Sequence, residues 1–200
     1  MPKIDLRKVA EADFPTRFGH FRIFGFEGTL DTTQEEAVVL RMGDVSSGEP
    51  PLVRIHSQCL TGDVFHSLRC DCRAQLELAI ETIVAEGRGL LIYENQEGRG
   101  IGLLNKLRAY ELQDQGADTV EANEQLGFEA DLRGYNLPGA ILNFFGIKAV
   151  RLMSNNPEKI QALEQAGVEV VERVPSIVPA LSSTEDYLRT KRDKMGHLLE

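Results

Sequence analysis

The chain has 200 residues, of which 42% are hydrophobic and 26% charged, and its formal net charge is −9. This composition is ordinary for a globular protein that folds as one main domain. The acidic balance argues against nonspecific nucleic-acid binding, which needs a basic face, and no apolar run is long enough to span a bilayer. We therefore expect neither a nucleic-acid nor a membrane partner.

The first third of the chain is predicted to be β structure. Three runs rich in β-branched and aromatic residues are separated by Gly, Pro, Asp and Ser clusters, and they are Phe18–Phe26, Ala37–Met42 and Leu52–His56. This pattern indicates an antiparallel or mixed sheet.

The cysteines follow that sheet within one short stretch, as Cys59, Cys70 and Cys72. An odd count cannot pair completely as disulfides, and residues 1–20 lack the apolar core of a signal peptide, so we expect a reducing, cytoplasmic compartment. Thiolates select an ion such as Zn²⁺, and three of them leave one tetrahedral position open for a catalytic water. Two alternatives stay open from spacing alone: His56 completes a structural Cys₃His site, or the cysteines are ordinary buried residues.

Helices are predicted after the cysteines. Apolar residues recur at helical spacing from Leu76 to Val84, Gly87 is a stop signal, and Leu90–Tyr93 is predicted to be a buried strand. The glycine-rich turn QEGRGIG then leads into a second helix. Its apolar residues share a face that we expect to pack in the core, namely Leu103, Leu104, Leu107 and Leu112.

The C-terminal part is predicted to contain a βαβ unit, with strands at Ala149–Met153 and Val168–Val171 around a helix at Pro157–Ala166. Asn156 suits the N-cap position, so free backbone N–H groups near Ser154 favour an anion, although an ordinary capped helix explains the same residues. We expect an α/β fold with α+β character, formed by a mixed sheet in a single domain of residues 1–182. Residues 183–200 are expected to form a polar arm, helical or loosely ordered.

Four longer blocks occur in a fixed order: RIHSQCLTGDVFHSLRCDC, GRGLLIYENQEGRGIGLLNKLRAYELQDQGADTVEAN, LGFEADLRGYN and SNNPEK. In this order they resemble the GTP cyclohydrolase II family, whose enzymes open riboflavin biosynthesis. The resemblance implies one catalytic Zn²⁺ per subunit on Cys59, Cys70 and Cys72. It also implies Asp131 as proton acceptor, Arg133 as nucleophile or electrostatic clamp at the α-phosphate, and Tyr110 near the reacting ring.

The resemblance further implies a set of GTP-binding residues. They are Arg54, Ile55, His56, Ser57, Gln58, Gln75, Glu97, Gly98, Arg99, Thr119, Ser154 and Lys159. Two of these depart from the common family pattern: Gln58 replaces a glutamate, and Ser154 replaces a threonine but keeps the hydroxyl.

The implied reaction converts GTP to 2,5-diamino-6-ribosylamino-4(3H)-pyrimidinone 5′-phosphate, formate and pyrophosphate, with Mg²⁺ on the triphosphate. The resemblance also implies a homodimer. We expect a monofunctional protein, because too few residues precede the match for a fused synthase module. Two rival hypotheses remain: a paralogue that stops at the ring-opened formamide, and a zinc-stabilised nucleotide-binding regulator without enzymatic activity.

Overall fold

The structure is a computed structural model, and it describes residues 4–129, 131–179 and 184–199. The strands are β1 (Asp5–Pro15), β2 (His20–Leu30), β3 (Thr33–Met42), β4 (Leu52–Ser57), β5 (Gly89–Glu94), β6 (Ala149–Met153) and β7 (Glu169–Val174). The helices are α1 (Leu60–Asp63), α2 (Cys72–Glu86), α3 (Leu103–Asp114), α4 (Thr119–Gln125), α5 (Asn136–Phe144), α6 (Pro157–Gln165) and α7 (Glu185–Met195). A 3₁₀ turn, Glu97–Gly100, precedes α3.

One sheet of seven strands organises the described residues, in the order β1-β2-β3-β5-β4-β6-β7. The first three strands form an antiparallel meander, and β3 pairs antiparallel with β5. From β5 onward the neighbours β4, β6 and β7 are parallel. The predicted mixed sheet in a single α/β domain is therefore confirmed.

Helices cover both faces of the parallel half, as parallel sheets require. On one face, α5 and α6 bury Leu137, Ile141 and Leu163 against β2, β3 and β4. On the other face, α2 buries Ala79 and Ile83 against the sheet. Because β4 is covered on both sides, its residues are buried from Leu52 through His56.

Most of the predicted elements are confirmed, with boundaries that differ by a few residues. Gly87 ends α2 with a φ of 66°, the left-handed conformation that glycine adopts without a Cβ penalty. The Asn156 side chain caps α6 by accepting from the Glu158 N–H, and β6, α6 and β7 form the predicted βαβ unit.

One core prediction is wrong. Leu104 is 72% exposed and Leu107 is 43% exposed, so these α3 leucines do not pack in the core. Helical spacing shows that residues share a face, but it does not show that the face is covered.

The last helix, α7, lies in the region that was expected to be helical or loosely ordered. The proposed domain boundary between residues 182 and 183 lies outside the described residues and stays a prediction. Within the described ranges, each helix is too short or too polar to cross a membrane.

Candidate active site

The candidate site lies where the parallel strands β4, β5 and β6 end. The chain leaves β4 at Ser57 toward Cys59, leaves β5 toward the Glu97–Gly100 turn, and leaves β6 into the Ser154 turn before α6. The carboxyl ends of parallel strands meet at one edge of a sheet, so three loops distant in sequence converge on one cavity. Of the residues predicted from sequence, all but Ile55 and Asp131 line it.

The three cysteines form one cluster in the wall of this cavity. Their Sγ atoms all lie within 4.8 Å of one another, and those of Cys59 and Cys70 are 3.7 Å apart. A tetrahedral zinc with Zn–S bonds of about 2.3 Å needs sulfurs about 3.8 Å apart, so this spacing fits the ion. His56 does not join the cluster, and the Cys₃His alternative loses its fourth ligand.

Gly62 on α1 makes room for this cluster. A Cβ at that position would lie 2.9 Å from Cys70 Sγ and 3.1 Å from Cys59 Sγ. The short helix α1 can therefore cover the sulfurs closely only because position 62 has no side chain.

Lys106 contacts Cys59, and Glu97 contacts both Lys106 and the residue after Cys59. Lys106 Nζ donates to Cys59 Sγ at 3.1 Å and to Glu97 Oε1 at 2.7 Å, while Glu97 Oε2 accepts from the Leu60 N–H at 2.6 Å. Hydrogen bonds from Cys70 and Cys72, followed by the positive charge of Lys106, hold the pKa of the Cys59 thiol well below its usual range. The Cys59 thiolate is thus the favoured form, as a metal ligand must be.

A buried carboxylate supports the backbone beneath Cys59. Asp63 Oδ2 accepts from the Cys59 N–H at 3.0 Å and from the Tyr93 hydroxyl at 2.7 Å, and His56 Nε2 lies 3.2 Å from both Asp63 oxygens. Burial lowers the pKa of His56, which favours the neutral imidazole. The ring of His56 is thereby fixed as part of the cavity wall.

A chain of side chains links β4 to the C-terminal helix. Arg54 donates to Gln75 Oε1 at 2.7 Å, Gln75 Nε2 donates to Asp71 Oδ2 at 2.5 Å, and Lys191 Nζ donates to Asp71 Oδ1 at 2.9 Å. Arg54 also donates to the carbonyl of Met153 at 3.1 Å. These contacts fix a buried guanidinium at the centre of the site.

Asp131 and Arg133 form a bidentate pair, with Arg133 Nε 2.8 Å from Asp131 Oδ1 and Arg133 NH2 2.5 Å from Asp131 Oδ2. Burial raises the pKa of Asp131, but the hydrogen bonds and charge of Arg133 outweigh it and lower that pKa below its ordinary value. Burial also lowers the pKa of Arg133, but the hydrogen bonds and charge of Asp131 raise that pKa above its ordinary value. Both groups are therefore charged, and the Asp131 carboxylate is oriented toward the Arg133 guanidinium.

Two further basic side chains, Lys159 and Arg99, line the cavity. Lys159 on α6 is buried, and its Nζ donates to the carbonyl of Ile55 at 2.9 Å. Burial, followed by the charges of Arg54 and Arg133, lowers the pKa of Lys159 well below its usual value. Arg99 sits in the glycine-rich turn at a φ of 61°, and its NH1 and NH2 atoms are buried without a partner among the described residues. An anionic ligand would satisfy these groups.

Tyr110 on α3 and Thr61 on α1 meet beside the cysteine cluster. The Tyr110 hydroxyl lies 3.1 Å from Thr61 Oγ1, and burial raises the pKa of the phenol. Thr119, at the start of α4, lines the same cavity. Ile55 is an exception among the predicted residues, because its side chain is fully buried in the core and only its carbonyl reaches the site.

Sequence reasoning missed several residues of this site. They are Asp63, Asp71, Tyr93, Lys106, Tyr187, Lys191 and His197. Lys106 and Lys191 lie on helices rich in charge, where a lysine usually faces solvent, and their partners are distant in the chain. The one available signal was the position of Lys106 one helical turn before Tyr110.

A family model and sequence relatives identify one family. A family model described as GTP cyclohydrolase II matches residues 7–175. A GTP cyclohydrolase-2 of Yersinia pseudotuberculosis is 56% identical over 98% of this chain and 99% of its own length. A GTP cyclohydrolase-2 of Proteus mirabilis is 57% identical over 97% of this chain and 96% of its own.

A third relative is longer. The riboflavin biosynthesis protein RibBA of Bacillus cereus is 56% identical over 96% of this chain, and the match covers 48% of that relative. The chain thus spans about half the length of this relative and nearly the whole length of the two GTP cyclohydrolase-2 proteins.

Proposed function

The chain belongs to the GTP cyclohydrolase II family, and on that premise we propose that it hydrolyses GTP. The products are 2,5-diamino-6-ribosylamino-4(3H)-pyrimidinone 5′-phosphate, formate and pyrophosphate, which makes this the first committed step of riboflavin biosynthesis. The observation that carries the proposal is a cluster of three cysteines in the wall of a cavity rich in arginine and lysine.

We propose that Cys59, Cys70 and Cys72 hold one Zn²⁺ per subunit. The sulfur spacing, the close cover by Gly62 and the Lys106 contact to Cys59 support this ion. Zinc bound there would supply a Lewis acid that activates water for attack at C8 of guanine and for release of that carbon as formate. The three thiolates leave one tetrahedral position free for this chemistry.

The cavity lining supports GTP as the substrate. Arg54, Arg99 and Arg133 give it a positive charge within a chain whose net charge is −9, and the Lys159 amine adds a further donor. Such a local field attracts a triphosphate that the protein as a whole would repel. The positive end of the α6 helix dipole, at the Ser154 turn, adds to this field.

We propose that Arg133 clamps the α-phosphate electrostatically rather than attacking it. Its guanidinium remains protonated and has no lone pair for nucleophilic attack. Asp131 fixes the orientation of that guanidinium through the bidentate pair. The charge that develops on the phosphate in the transition state would then meet a preorganised cation.

Tyr110 has a role at the other end of the substrate. Its hydroxyl lies beside Thr61, and the raised pKa keeps the phenol protonated near neutral pH. We propose that this hydroxyl donates a hydrogen bond to the purine ring during opening, since it faces the same cavity as the cysteine cluster.

Three further features are proposed from the family resemblance. Mg²⁺ accompanies the triphosphate, because hard cations bind phosphate oxygens, and omission of Mg²⁺ from the zinc-loaded protein tests this. The protein acts as a homodimer, which sedimentation equilibrium tests. It works in the cytoplasm, where free thiols persist, and fractionation of the source cells tests that location.

The central experiment incubates the zinc-loaded protein with GTP and Mg²⁺ and follows formate, pyrophosphate and the nucleotide product by mass spectrometry. We expect all three products from the wild type and no formate from Cys59→Ser. Unaltered GTP would contradict the proposal, and ring-opened GTP without formate would identify the paralogue instead.

A further inference from the structure

The C-terminal segment, defined here as residues 184–199, packs against the candidate site. The Leu198 N–H donates to the carbonyl of Asn155 at 2.8 Å, and Lys191 Nζ donates to the buried Asp71 at 2.9 Å. Asn155 follows Ser154 in the turn before α6, and Asp71 lies between two of the zinc-cluster cysteines. The segment is therefore attached at two places beside the cavity.

One face of α7 is directed into that cavity. Tyr187, Lys191 and Met195 are spaced four residues apart, so they share a helix face, and all three line the cavity together with His197. Lys191 Nζ lies 4.4 Å from the centroid of the Tyr187 ring. The Lys194 side chain instead contacts Asp118 and Glu121 on α4 and is largely exposed.

Several donors around this face are buried and unpaired. His197 Nε2 and the two terminal nitrogens of Arg99 are buried, and within the described part of the chain they have no hydrogen-bond partner. Burial, then the charges of Lys191, Arg133 and Lys159, lowers the pKa of His197 to about 3. Burial and these neighbouring basic groups thus favour the neutral imidazole, which has one N–H to donate.

We propose that the C-terminal segment forms one wall of a phosphate-binding subsite, in which His197 Nε2 and Arg99 donate hydrogen bonds to phosphate oxygens and Lys191 anchors the segment. The ligand chemistry is that of a pyrophosphate group, either the terminal phosphates of a nucleotide or the free product. This inference rests on the proposed function for its substrate, GTP, but the unpaired donors and their placement stand independently of it.

The test measures binding of inorganic pyrophosphate and of guanosine to the zinc-loaded protein by isothermal titration calorimetry. We expect His197→Ala to weaken pyrophosphate binding about tenfold, the loss typical of one hydrogen bond to a charged group. Guanosine, which has no phosphate, should bind as it does to the wild type. Lys191→Met should show the same selective loss, and Lys194→Met, which removes the same charge from the exposed face of α7, should not.

Steady-state kinetics with GTP complete the design. We expect His197→Ala to raise KM for GTP more than it lowers kcat, because the proposed hydrogen bond already forms to the terminal phosphates of bound GTP, away from the reacting purine ring. Wild-type affinity for pyrophosphate in His197→Ala would overturn the inference, and so would equal losses of pyrophosphate and guanosine binding, which indicate a general structural defect.

The outcomes also separate the inference from the proposed function. If the wild type hydrolyses GTP while His197→Ala binds pyrophosphate normally, only the inference fails. If the wild type leaves GTP intact but binds pyrophosphate through His197, the proposed function fails and the phosphate subsite stands.

Discussion

At the scale of single residues, Lys106 contacts the cysteine cluster directly. It is bonded to both Cys59 and Glu97, and such contacts to a metal ligand typically change metal affinity by about 10- to 100-fold. We expect Lys106→Met to lower zinc affinity by that order, as measured by competition with a chromophoric chelator. The exposed Arg108 on the same helix provides the control, because Arg108→Met leaves the cluster untouched. Equal zinc affinity in both variants would show that the Lys106 contact has no role in metal binding.

A second prediction at the scale of single residues concerns Gly62. A methyl group at position 62 would crowd Cys70 Sγ and Cys59 Sγ, so Gly62→Ala has to displace α1 or the sulfurs. We expect a lower zinc content after dialysis at limiting zinc, with the far-UV circular dichroism spectrum of the wild type. If Gly62→Ala retains full zinc content, the α1 backbone or the cysteine sulfurs can move to make room for the methyl group without loss of zinc affinity.

At the scale of elements, the end of α2 is set by one backbone conformation. Gly87 has a φ of 66°, and a methyl group at this position would meet no atom within 4 Å, so any substitution effect arises from the backbone alone. We expect Gly87→Ala to lower the free energy of unfolding by about 1 kcal/mol, and Gly87→Asn to lower it less, because asparagine tolerates the left-handed region. Urea denaturation measures both, and equal losses would contradict the backbone explanation.

The same scale shows what the sequence could and could not predict. Strands such as Leu52–Ser57 were predictable because burial on both faces makes them continuous apolar runs. Strand β1 was missed because nearly all its side chains are exposed and it carries no apolar alternation. Helix α5 was missed because Pro138 and Gly139 lie near its start and obscure the helical pattern.

The residues of the candidate site also divide into those that the sequence could predict and those that it could not. The cysteines were predictable from their spacing, whereas the Lys106 contact joins residues 47 positions apart and depends on the fold. His197 belongs to a segment whose polar composition indicated a solvated arm, and only its packing against Asn155 brings it to the cavity. Local pattern thus predicts elements and ligand sets, and tertiary structure decides which charged side chains surround them.

At the scale of the whole molecule, the cavity is a cationic region within an acidic protein, and a buried acid lies beneath it. Glu94, at the end of β5, is 1% exposed, and neither of its carboxylate oxygens has a partner among the described residues. Burial raises its pKa to about 8, with Glu35 on β3 adding to the rise and Lys159 on α6 and Arg133 opposing it.

This raised pKa makes the stability of the fold depend on pH. The folded state holds the Glu94 proton up to about pH 8, while the unfolded chain releases it near the ordinary value of 4.5, so between these values the folded state binds more protons. The contribution of Glu94 to stability is therefore undiminished below the lower value and is lost progressively as the pH rises toward the upper one.

Glu94→Gln cannot ionise, so its stability relative to the wild type should increase from pH 4.5 to pH 8 and then level off, as measured by urea denaturation across this range. Glu36→Gln, at an exposed position of β3, is the matched control for the loss of a glutamate carboxylate. A pH-independent difference between Glu94→Gln and the wild type would show that Glu94 is already ionised in the folded protein.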